Sequence, residues 1–236
     1  MLRLRKRIRN NVSSTTPDRS PPSEVRKIRE RIKEFFDQVA PGGDRIGSST
    51  CAVYAFFDYD GEPIYVGQTI EVLRGRVGRH LTGRRSDAVG KFVLDPFEVL
   101  ELEVWPRFEA LSKLERRTLA NQMEYAVFQK CLAESQFGAV LNEGGIAPAD
   151  PVELPSSYRG RIIPDDLYAD RKHPDLRIAR RAATIASLAR LISERQIGKG
   201  LRSTLTVQAK RLEALTSRRF EDFATAPDGH DEEESE

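Results

Sequence analysis

The sequence predicts an α+β fold in which helices flank a small, mainly antiparallel sheet of three strands. Apolar runs at 52–57 and 64–66 surround the pair Asp60-Gly61, which is a strong signal for a β-hairpin. A third run at 97–105 alternates between apolar and polar residues and ends at a proline, as expected for another strand. Long segments with apolar residues at helical spacing lie before and after these strands. The strands therefore predict a compact sheet, to which an N-terminal helix and a C-terminal helical extension are added.

Five helices are expected from this spacing. The first begins near a proline and has a glutamate in its first turn, and the last two are separated by a Gly-Lys-Gly break. Their predicted ranges are 22–39, 71–82, 109–134, 176–197 and 201–222. Between the third and fourth helices, the proline-rich segment 146–175 is expected to form an ordered loop or linker.

The predicted domain organisation places one α/β core between charged extensions. Composition separates a disordered basic N-terminus, an N-terminal helix with a linker, the core, a linker with a basic helical hairpin, and an acidic disordered tail. The corresponding ranges are 1–21, 22–48, 49–146, 147–223 and 224–236.

The net charge of +2 hides a strong asymmetry along the chain. Residues 221–236 contain eight acidic residues and no Lys or Arg, so the remainder carries 38 basic against 28 acidic residues. Residues 176–219 contain 11 Lys and Arg against two glutamates. A cationic body suits a polyanionic partner, because neutralising phosphates releases counterions. The helical hairpin is expected to pack on the core with basic residues towards nucleic acid, although a solvated basic surface fits the charge equally well.

No uninterrupted apolar run reaches the length of about 18 residues that a membrane span needs. The basic N-terminus lacks the apolar stretch of a secretion signal. The two cysteines, Cys51 and Cys131, have no metal-type spacing and lie in apolar surroundings. We therefore expect a cytoplasmic protein with two reduced and buried thiols, and no membrane partner.

Polar residues that could carry chemistry cluster in the predicted hairpin and the helix after it. Tyr54 and Tyr65 lie on neighbouring strands, and Gly67 follows where a missing side chain allows close approach. Arg76 and His80 are one helical turn apart and share a face. Each alone is most often an ordinary packing or solvated residue, but their order and spacing indicate a site.

Two further residues extend this pattern into the second half of the core. Glu124 interrupts an apolar part of the long third helix, and Asn142 follows the apolar pair Val140-Leu141. Alone, the glutamate would be an exposed helix residue and the asparagine a turn residue. Together with the tyrosines, Arg76 and His80, they complete an ordered set.

These residues resemble the GIY-YIG nuclease superfamily. AVY at 52–54 and YVG at 65–67, followed by LRGRVGRH, are similar to its first motifs, and Glu124 and Asn142 to its later ones. The resemblance covers about 50–145, and an Arg and a His four residues apart are similar to the restriction and homing endonuclease branches. Ala52 departs from the first motif by replacing its glycine, but it is also small.

The resemblance implies a divalent-metal-dependent endonuclease that hydrolyses phosphodiester bonds in DNA. Glu124 would hold Mg²⁺ or Mn²⁺, since hard cations prefer carboxylate oxygen and water. Arg76 would bind the scissile phosphate through its planar fork. Tyr54, with an ordinary pKa of about 10, would be a general base assisted by His80. The implied catalytic residues are Tyr54, Tyr65, Arg76, His80, Glu124 and Asn142.

Two of these positions have a rival in the sequence. Arg74 competes with Arg76, although the four-residue spacing to His80 favours Arg76. Glu115 competes with Glu124, although the apolar neighbours of Glu124 favour it. Further DNA contacts are expected from a second set of residues. The charged members of this set could equally well serve only to keep the protein soluble. They are Gly67, Arg74, Arg79, Arg84, Arg85 and Lys91.

Double-stranded DNA is the partner that this pattern favours, and a homodimer would supply two sites for double-strand cleavage. A restriction-like role in genome defence is one interpretation, with the protein close to the nucleoid. Two alternatives stay open: a non-catalytic nucleic-acid-binding module on a nuclease fold, and a structure-specific DNA repair or RNA nuclease. Sequence alone does not separate them, because base recognition depends on side-chain geometry in the grooves.

Overall fold

The computed structural model describes residues 22–81, 95–142, 145–194 and 199–225. It confirms the α+β class, with one antiparallel sheet, but the sheet has four strands in the order β2-β1-β3-β4 and not three. The strands are β1 (Cys51–Phe57), β2 (Pro63–Thr69), β3 (Glu101–Arg107) and β4 (Tyr158–Arg161). In this part of the chain β2 and β4 are the edge strands.

Strand β4 lies within the segment that was expected to be a loop. Its sequence, YRGR, has no apolar alternation, so no strand signal is visible in it. The segment is a strand because it pairs with β3. Arg159 also makes an ion pair of 2.7 Å with Glu101 across the two strands. A Cβ at Gly160 would lie only 3.0 Å from the ring of Phe35, so the glycine lets the N-terminal helix approach the sheet.

Six α-helices are present in the described residues. They are α1 (Ser23–Asp37), α2 (Leu73–Leu81), α3 (Lys113–Glu134), α4 (Asp165–Lys172), α5 (Pro174–Glu194) and α6 (Lys199–Ala224). The short helix α4 was not expected, because it lies in the segment predicted as a linker. The predicted third helix begins later than residue 109, since Ser112 caps it. No described helix is both long and apolar enough to cross a membrane.

Strand β1 shows how the sheet is buried on both faces. All seven of its residues are buried, and successive side chains enter two different apolar clusters. Helix α3 covers the face of the second cluster with Met123, Val127 and Cys131. The other face packs against α1, α2, α5 and α6, through residues that include Phe36, Leu73, Val77, Leu188 and Leu201. Helices therefore cover both faces of the sheet.

Strand β3 extends beyond the end that the sequence predicted. The proline at 106, which was expected to stop it, pairs with Ala52, and the strand ends at Arg107. Strand β4 pairs with β3 only over 101–104, so Pro106 needs no hydrogen-bonding partner on that side.

The C-terminal hairpin of α5 and α6 packs on the core as expected, but several of its arginines do not face outwards. Arg177, Arg181 and Arg211 are buried. Arg181 lies 3.2 Å from both Asp58 and Glu98, carboxylates of the β1–β2 turn and of the segment before β3. A large part of the basic charge predicted for a nucleic-acid surface thus makes ion pairs within the protein. The termini 1–21 and 224–236 were predicted to be disordered. Ala224 instead ends α6, and residues 1–21 and 226–236 lie outside the described residues.

Candidate active site

Tyr54, Tyr65 and His80 form a buried aromatic group on the face of the sheet that α2 covers. The Tyr54 hydroxyl lies 3.1 Å from His80 Nε2 and 3.3 Å from Nδ1. The Tyr65 ring lies 5.3 Å from the His80 ring and 6.3 Å from the Tyr54 ring, measured between centroids. Tyr54 and His80 have almost no exposed surface. The structure thus brings together the three aromatic residues of the predicted set.

Gly67 makes room for this group. It pairs with Tyr54 across the two strands, and a Cβ at Gly67 would lie 2.6 Å from the Tyr54 hydroxyl and 2.8 Å from Cε1 of Tyr65. Both distances are shorter than any normal contact, so a side chain here would displace the tyrosines. Gly67 therefore permits the packing of the two tyrosines, whereas the sequence suggested a close approach of backbone or ligand.

Helix α2 directs its arginines to different places. Arg74 makes an ion pair of 2.5 Å with Asp37 at the end of α1, and Arg79 makes one of 2.6 Å with Glu71. Arg76 instead lines a cleft beside β2, and its positive charge acts on the carboxyl of Glu124. The geometry therefore supports Arg76 over Arg74 as the arginine next to the glutamate.

Glu124 lies on α3, and its carboxylate is held by the side chain that follows Gly67 in β2. Gln68 Nε2 donates to Glu124 Oε2 at 2.9 Å and to Asn121 Oδ1 at 2.6 Å. Burial raises the pKa of the Glu124 carboxyl, while the Gln68 hydrogen bond and the charge of Arg76 oppose that rise. A half-buried carboxyl group close to an arginine is suited to binding a cation or a phosphate-linked ligand.

Glu115, the rival of Glu124, has a different environment. Its carboxylate accepts the backbone N–H of Ser112 at 2.7 Å, while the Ser112 hydroxyl accepts the N–H of Glu115 at 3.3 Å. This reciprocal pair is a capping box at the start of α3. The hydrogen bonds with Ser112 lower the pKa of the Glu115 carboxyl. Glu115 therefore serves to begin the helix.

The cleft between β2, α2 and α3 has a volume of about 380 Å³ and is open to solvent. Polar and charged side chains dominate its wall. They come from the end of β2, from α2 and from the first half of α3, and include Gln68, Thr69, Glu71, Arg76, Arg117 and Asn121. Glu124 adjoins this wall through its hydrogen bond with Gln68. A polar cleft with two arginines is suited to an anionic ligand.

Asn142 is placed at the outer side of β2. Its Oδ1 accepts the backbone N–H of Val66 at 3.1 Å, and its Nδ2 donates to the carbonyl of Val66 at 2.8 Å. The neighbouring Leu141 N–H donates to the carbonyl of Ile64 at 2.8 Å. The segment thus continues the hydrogen bonding of the sheet beyond β2. This contact fixes the backbone immediately before Gly67.

The candidate residues fall into two sets around β2. Tyr54, Tyr65 and His80 lie on one face of the sheet, while Arg76 and Glu124 lie at its edge and towards the other face. Sequence reasoning missed three cleft residues that accompany them: Gln68, Arg117 and Asn121. Helical spacing could have indicated Arg117 and Asn121, which precede Glu124 by seven and three residues. The predicted DNA contacts Arg84, Arg85 and Lys91 lie outside the described residues.

A divalent cation would have a single carboxylate here. Within the described residues, no group of three or more His, Cys, Asp or Glu side chains could form a protein-only metal site. Mg²⁺ commonly retains several waters and binds through one or two carboxylates together with substrate phosphate. Glu124, beside an open polar cleft, fits this mode. The cysteines lie apart from it: both are free and buried, and burial raises the pKa of Cys131 to about 12.

Comparison with known proteins bears on the part of the chain that contains this site. Residues 50–125 match the family model of the GIY-YIG catalytic domain. Searches of curated proteins and of solved structures gave no match for the chain. The matched region spans β1 to the glutamate of α3, and thus includes both tyrosines, Arg76, His80 and Glu124 within a nuclease-type fold. Residues 50–125 are therefore similar to the catalytic domain of the GIY-YIG nuclease superfamily, and this similarity covers about a third of the chain.

Proposed function

We propose that the protein is a divalent-metal-dependent endonuclease that hydrolyses phosphodiester bonds in double-stranded DNA. One observation carries the proposal: Arg76 and the half-buried carboxylate of Glu124 meet at an open polar cleft, with Gln68 holding the carboxylate. Phosphodiester hydrolysis requires a positioned phosphate, stabilisation of its extra negative charge, and a base for the attacking water. The residues around β2 offer a group for each task.

Arg76 is suited to the first task. Its guanidinium carries a permanent positive charge and can donate two parallel hydrogen bonds to non-bridging oxygens of the scissile phosphate. Because it lies on the helix that follows β2, it lines the cleft from α2 and can reach a phosphate bound there. The same charge keeps Glu124 closer to its ionised form, and only that form can bind a cation.

Glu124 would hold the cation, Mg²⁺ or Mn²⁺. Such a cation, when bound, supplies Lewis-acid stabilisation of the negative charge that develops on the phosphate oxygens. The hydrogen bond from Gln68 occupies Oε2 and fixes the orientation of the carboxylate. The proposal assigns the cation to the other carboxylate oxygen, Oε1. The proposal therefore assigns Gln68 to positioning and Glu124 to cation binding.

The Tyr54–His80 pair is suited to proton transfer. A neutral His80 can accept the hydroxyl proton of Tyr54 over the 3.1 Å contact, and the resulting phenolate can take a proton from water that attacks phosphorus. The bond from phosphorus to the leaving oxygen then breaks, and that oxygen receives a proton from solvent. The ring of Tyr65 packs against the rings of Tyr54 and His80 and helps to fix their relative positions. Asn142 acts at a distance from the chemistry, through Val66.

The proposal is tested by incubating purified protein with supercoiled plasmid DNA and Mg²⁺, against an EDTA control. We expect conversion to the nicked form with Mg²⁺ alone, and none with Glu124→Gln. Glu115→Gln is the matched control, because it changes the same chemical group on the same helix outside the cleft. Nicking by Glu124→Gln at the wild-type rate would contradict the site assignment, and wild-type protein without Mg²⁺-dependent cleavage would contradict the activity.

A second function has one observation in its favour. Tyr54 and His80 are fully buried, so water and phosphate reach the proposed base only if the surrounding side chains move. A non-catalytic nucleic-acid-binding module would have no need of such access. The two functions differ in the plasmid experiment: the binding module would retard DNA in a gel with or without Mg²⁺ and leave it uncut.

Substrate selection and assembly form the last part of the proposal. A single small site makes one nick at a time, so cleavage of both strands would require a homodimer or two successive events. Sequencing the ends of the products distinguishes a restriction-like enzyme, which gives recurrent sites, from a structure-specific DNA or RNA nuclease. An enzyme acting on genomic or invading DNA would work in the cytoplasm, at the nucleoid.

A further inference from the structure

Helix α3 carries more of the cleft than its glutamate. Arg117 and Asn121 are spaced by one helical turn, and Glu124 follows in the next turn, so the three side chains form a stripe along one face. Arg117 and Asn121 line the cleft directly, and Glu124 is linked to Asn121 by their shared donor, Gln68. The stripe runs from the proposed cation-binding position towards the N-terminal end of α3.

The arginine of this stripe differs from two arginines of α2, Arg74 and Arg79. Arg74 and Arg79 are neutralised by Asp37 and Glu71. Arg117 is exposed, and none of the ion pairs among the residues that the structure describes includes it. The acidic residue of the cleft, Glu71, is the one paired with Arg79. Among the residues that the structure describes, no carboxylate forms an ion pair with Arg117, so its positive charge is available to a ligand in the outer part of the cleft.

The hydrogen bond from Gln68 orients the carboxamide of Asn121 and leaves its amino group available to a ligand. Its carboxamide oxygen accepts from Gln68 at 2.6 Å, and this leaves the amino group as the donor that can point into the cleft. An exposed guanidinium and an amide donor one turn apart recognise a group with several acceptor oxygens and a negative charge. A phosphate diester has these properties, and it is repeated along a nucleic acid strand.

We propose that Arg117 and Asn121 form a second phosphate subsite, which binds a backbone phosphate of the same DNA strand near the scissile one. The inference rests on the proposed nuclease function of the cleft. Seven residues of helix separate Arg117 from Glu124, which corresponds to about 10 Å along the axis. Successive phosphates of one strand advance by about 3.4 Å along the duplex axis. The subsite thus contacts a phosphate roughly three nucleotides from the cleavage position.

The subsite is tested by DNA binding in a cleavage-deficient background. Arg117→Ala is combined with Glu124→Gln, and its affinity for a short duplex is measured over a series of salt concentrations. Loss of one charged phosphate contact should weaken binding about tenfold and reduce the slope of log K against log salt by about 0.9. Arg190→Ala is the matched control, since Arg190 is an exposed arginine that pairs with Glu194 on α5, far along the chain.

A second measurement identifies the contact. Single phosphates of the duplex are replaced by uncharged methylphosphonates, one position at a time. At one position near the cleavage site, the replacement should weaken binding by the Glu124→Gln protein about tenfold and leave binding by the Arg117→Ala double variant unchanged. Asn121→Ala should weaken the preference for the same position, because its donor serves the same group.

The outcomes separate this subsite from the activity itself. If the wild-type protein fails to cleave but the salt slope and the methylphosphonate pattern depend on Arg117, the nuclease activity is wrong and the subsite is supported. If the wild-type protein cleaves and Arg117→Ala behaves like Arg190→Ala, the subsite is wrong and Arg117 is a solvated residue. Absence of any DNA binding by the Glu124→Gln protein overturns the subsite as well.

Discussion

Asn142 holds the backbone of Val66 through both ends of its carboxamide. Its oxygen accepts the Val66 N–H at 3.1 Å and its nitrogen donates to the Val66 carbonyl at 2.8 Å. The side chain thus makes the pair of hydrogen bonds that a neighbouring strand would make. Val66 immediately precedes Gly67, on which the packing of Tyr54 and Tyr65 depends. Asn142 therefore contributes to the site by fixing strand β2.

Asn142→Asp should harm the protein more than Asn142→Ala at neutral pH. The aspartate would place a carboxylate oxygen against the Val66 carbonyl, whereas alanine only leaves two backbone groups unpaired. We expect a loss of about 1–3 kcal/mol for alanine and more for aspartate, measured by urea unfolding. Protonation of the aspartate restores a donor, so the difference should shrink when the pH falls to about 4. A difference that does not change with pH would contradict this account.

Gly67→Ala tests the packing of the tyrosines. The new Cβ would lie 2.6 Å from the Tyr54 hydroxyl, so the ring must move and its contact with His80 is lost. Overpacking of this kind commonly costs about 1–3 kcal/mol. We expect the variant to retain DNA binding, since the arginines are untouched, and to lose cleavage. Gly78→Ala is the control, because a Cβ there meets no atom within 4 Å. Equal cleavage by both variants would contradict the role of Gly67.

Arg74→Ala and Arg76→Ala should separate structure from chemistry. Arg74 is partly exposed in its pair with Asp37, so its loss should change stability by less than about 1 kcal/mol and leave cleavage within about threefold. Arg76 shares the cleft with Glu124, and its loss should reduce kcat by about a hundredfold or more through the transition state. Steady-state nicking rates, with unfolding curves for both variants, provide the check. The opposite order would assign the phosphate to Arg74.

The elements that the sequence predicted well are those whose signal is local. The Asp60-Gly61 turn, the helix with Arg76 and His80, and the capped helix with Glu124 each depend on neighbours within a few residues. Strand β4 could not be predicted, because its order comes from pairing with β3 more than fifty residues away. The same holds for Gln68: nothing in its local sequence indicates that it holds a carboxylate on α3.

The arginines of the C-terminal hairpin show the same limit in the charge pattern. Composition predicted a basic surface, yet Arg181 contacts Asp58 and Glu98, which lie 123 and 83 residues earlier in the chain. Period and propensity locate a helix, but they do not determine which of its charged residues find a buried partner of opposite sign. Complementary charge between distant segments is visible only once the tertiary fold is known.

Arg181→Met should be strongly destabilising. It removes the nearer of the two arginines that pair with the buried carboxylates of Asp58 and Glu98, and breaking a buried pair by deleting one partner commonly costs about 3–5 kcal/mol. The double variant Arg181→Met with Glu98→Gln should recover part of the loss, because one of the uncompensated charges is gone. Arg190→Ala, at an exposed pair, should change stability by less than about 0.5 kcal/mol. Additive effects of Arg181→Met and Glu98→Gln in unfolding experiments would contradict the coupling.

The pH dependence of stability should carry opposite contributions from Asp60 and Glu98. Burial alone would raise the pKa of Asp60, but its pairs with Arg177 and Arg218 prevail, and the pKa lies below its ordinary 3.8. Its contribution is therefore present above that value and lost as the pH falls through the lower folded pKa. Burial raises the pKa of Glu98 despite its arginine partners, so its contribution is present at low pH and lost as the pH rises.

Two substitutions separate these contributions. Asp60→Asn should destabilise the protein most at neutral pH, and the difference from wild type should diminish as the pH falls below 3.8 and through the lower folded pKa of Asp60. Glu98→Gln should compare more favourably with wild type at about pH 7 than at about pH 4, since it removes a charge whose burial opposes folding. Free energies of unfolding from urea titrations at several pH values measure both. If both variants show the same dependence of unfolding free energy on pH, the predicted opposite contributions of Asp60 and Glu98 are wrong.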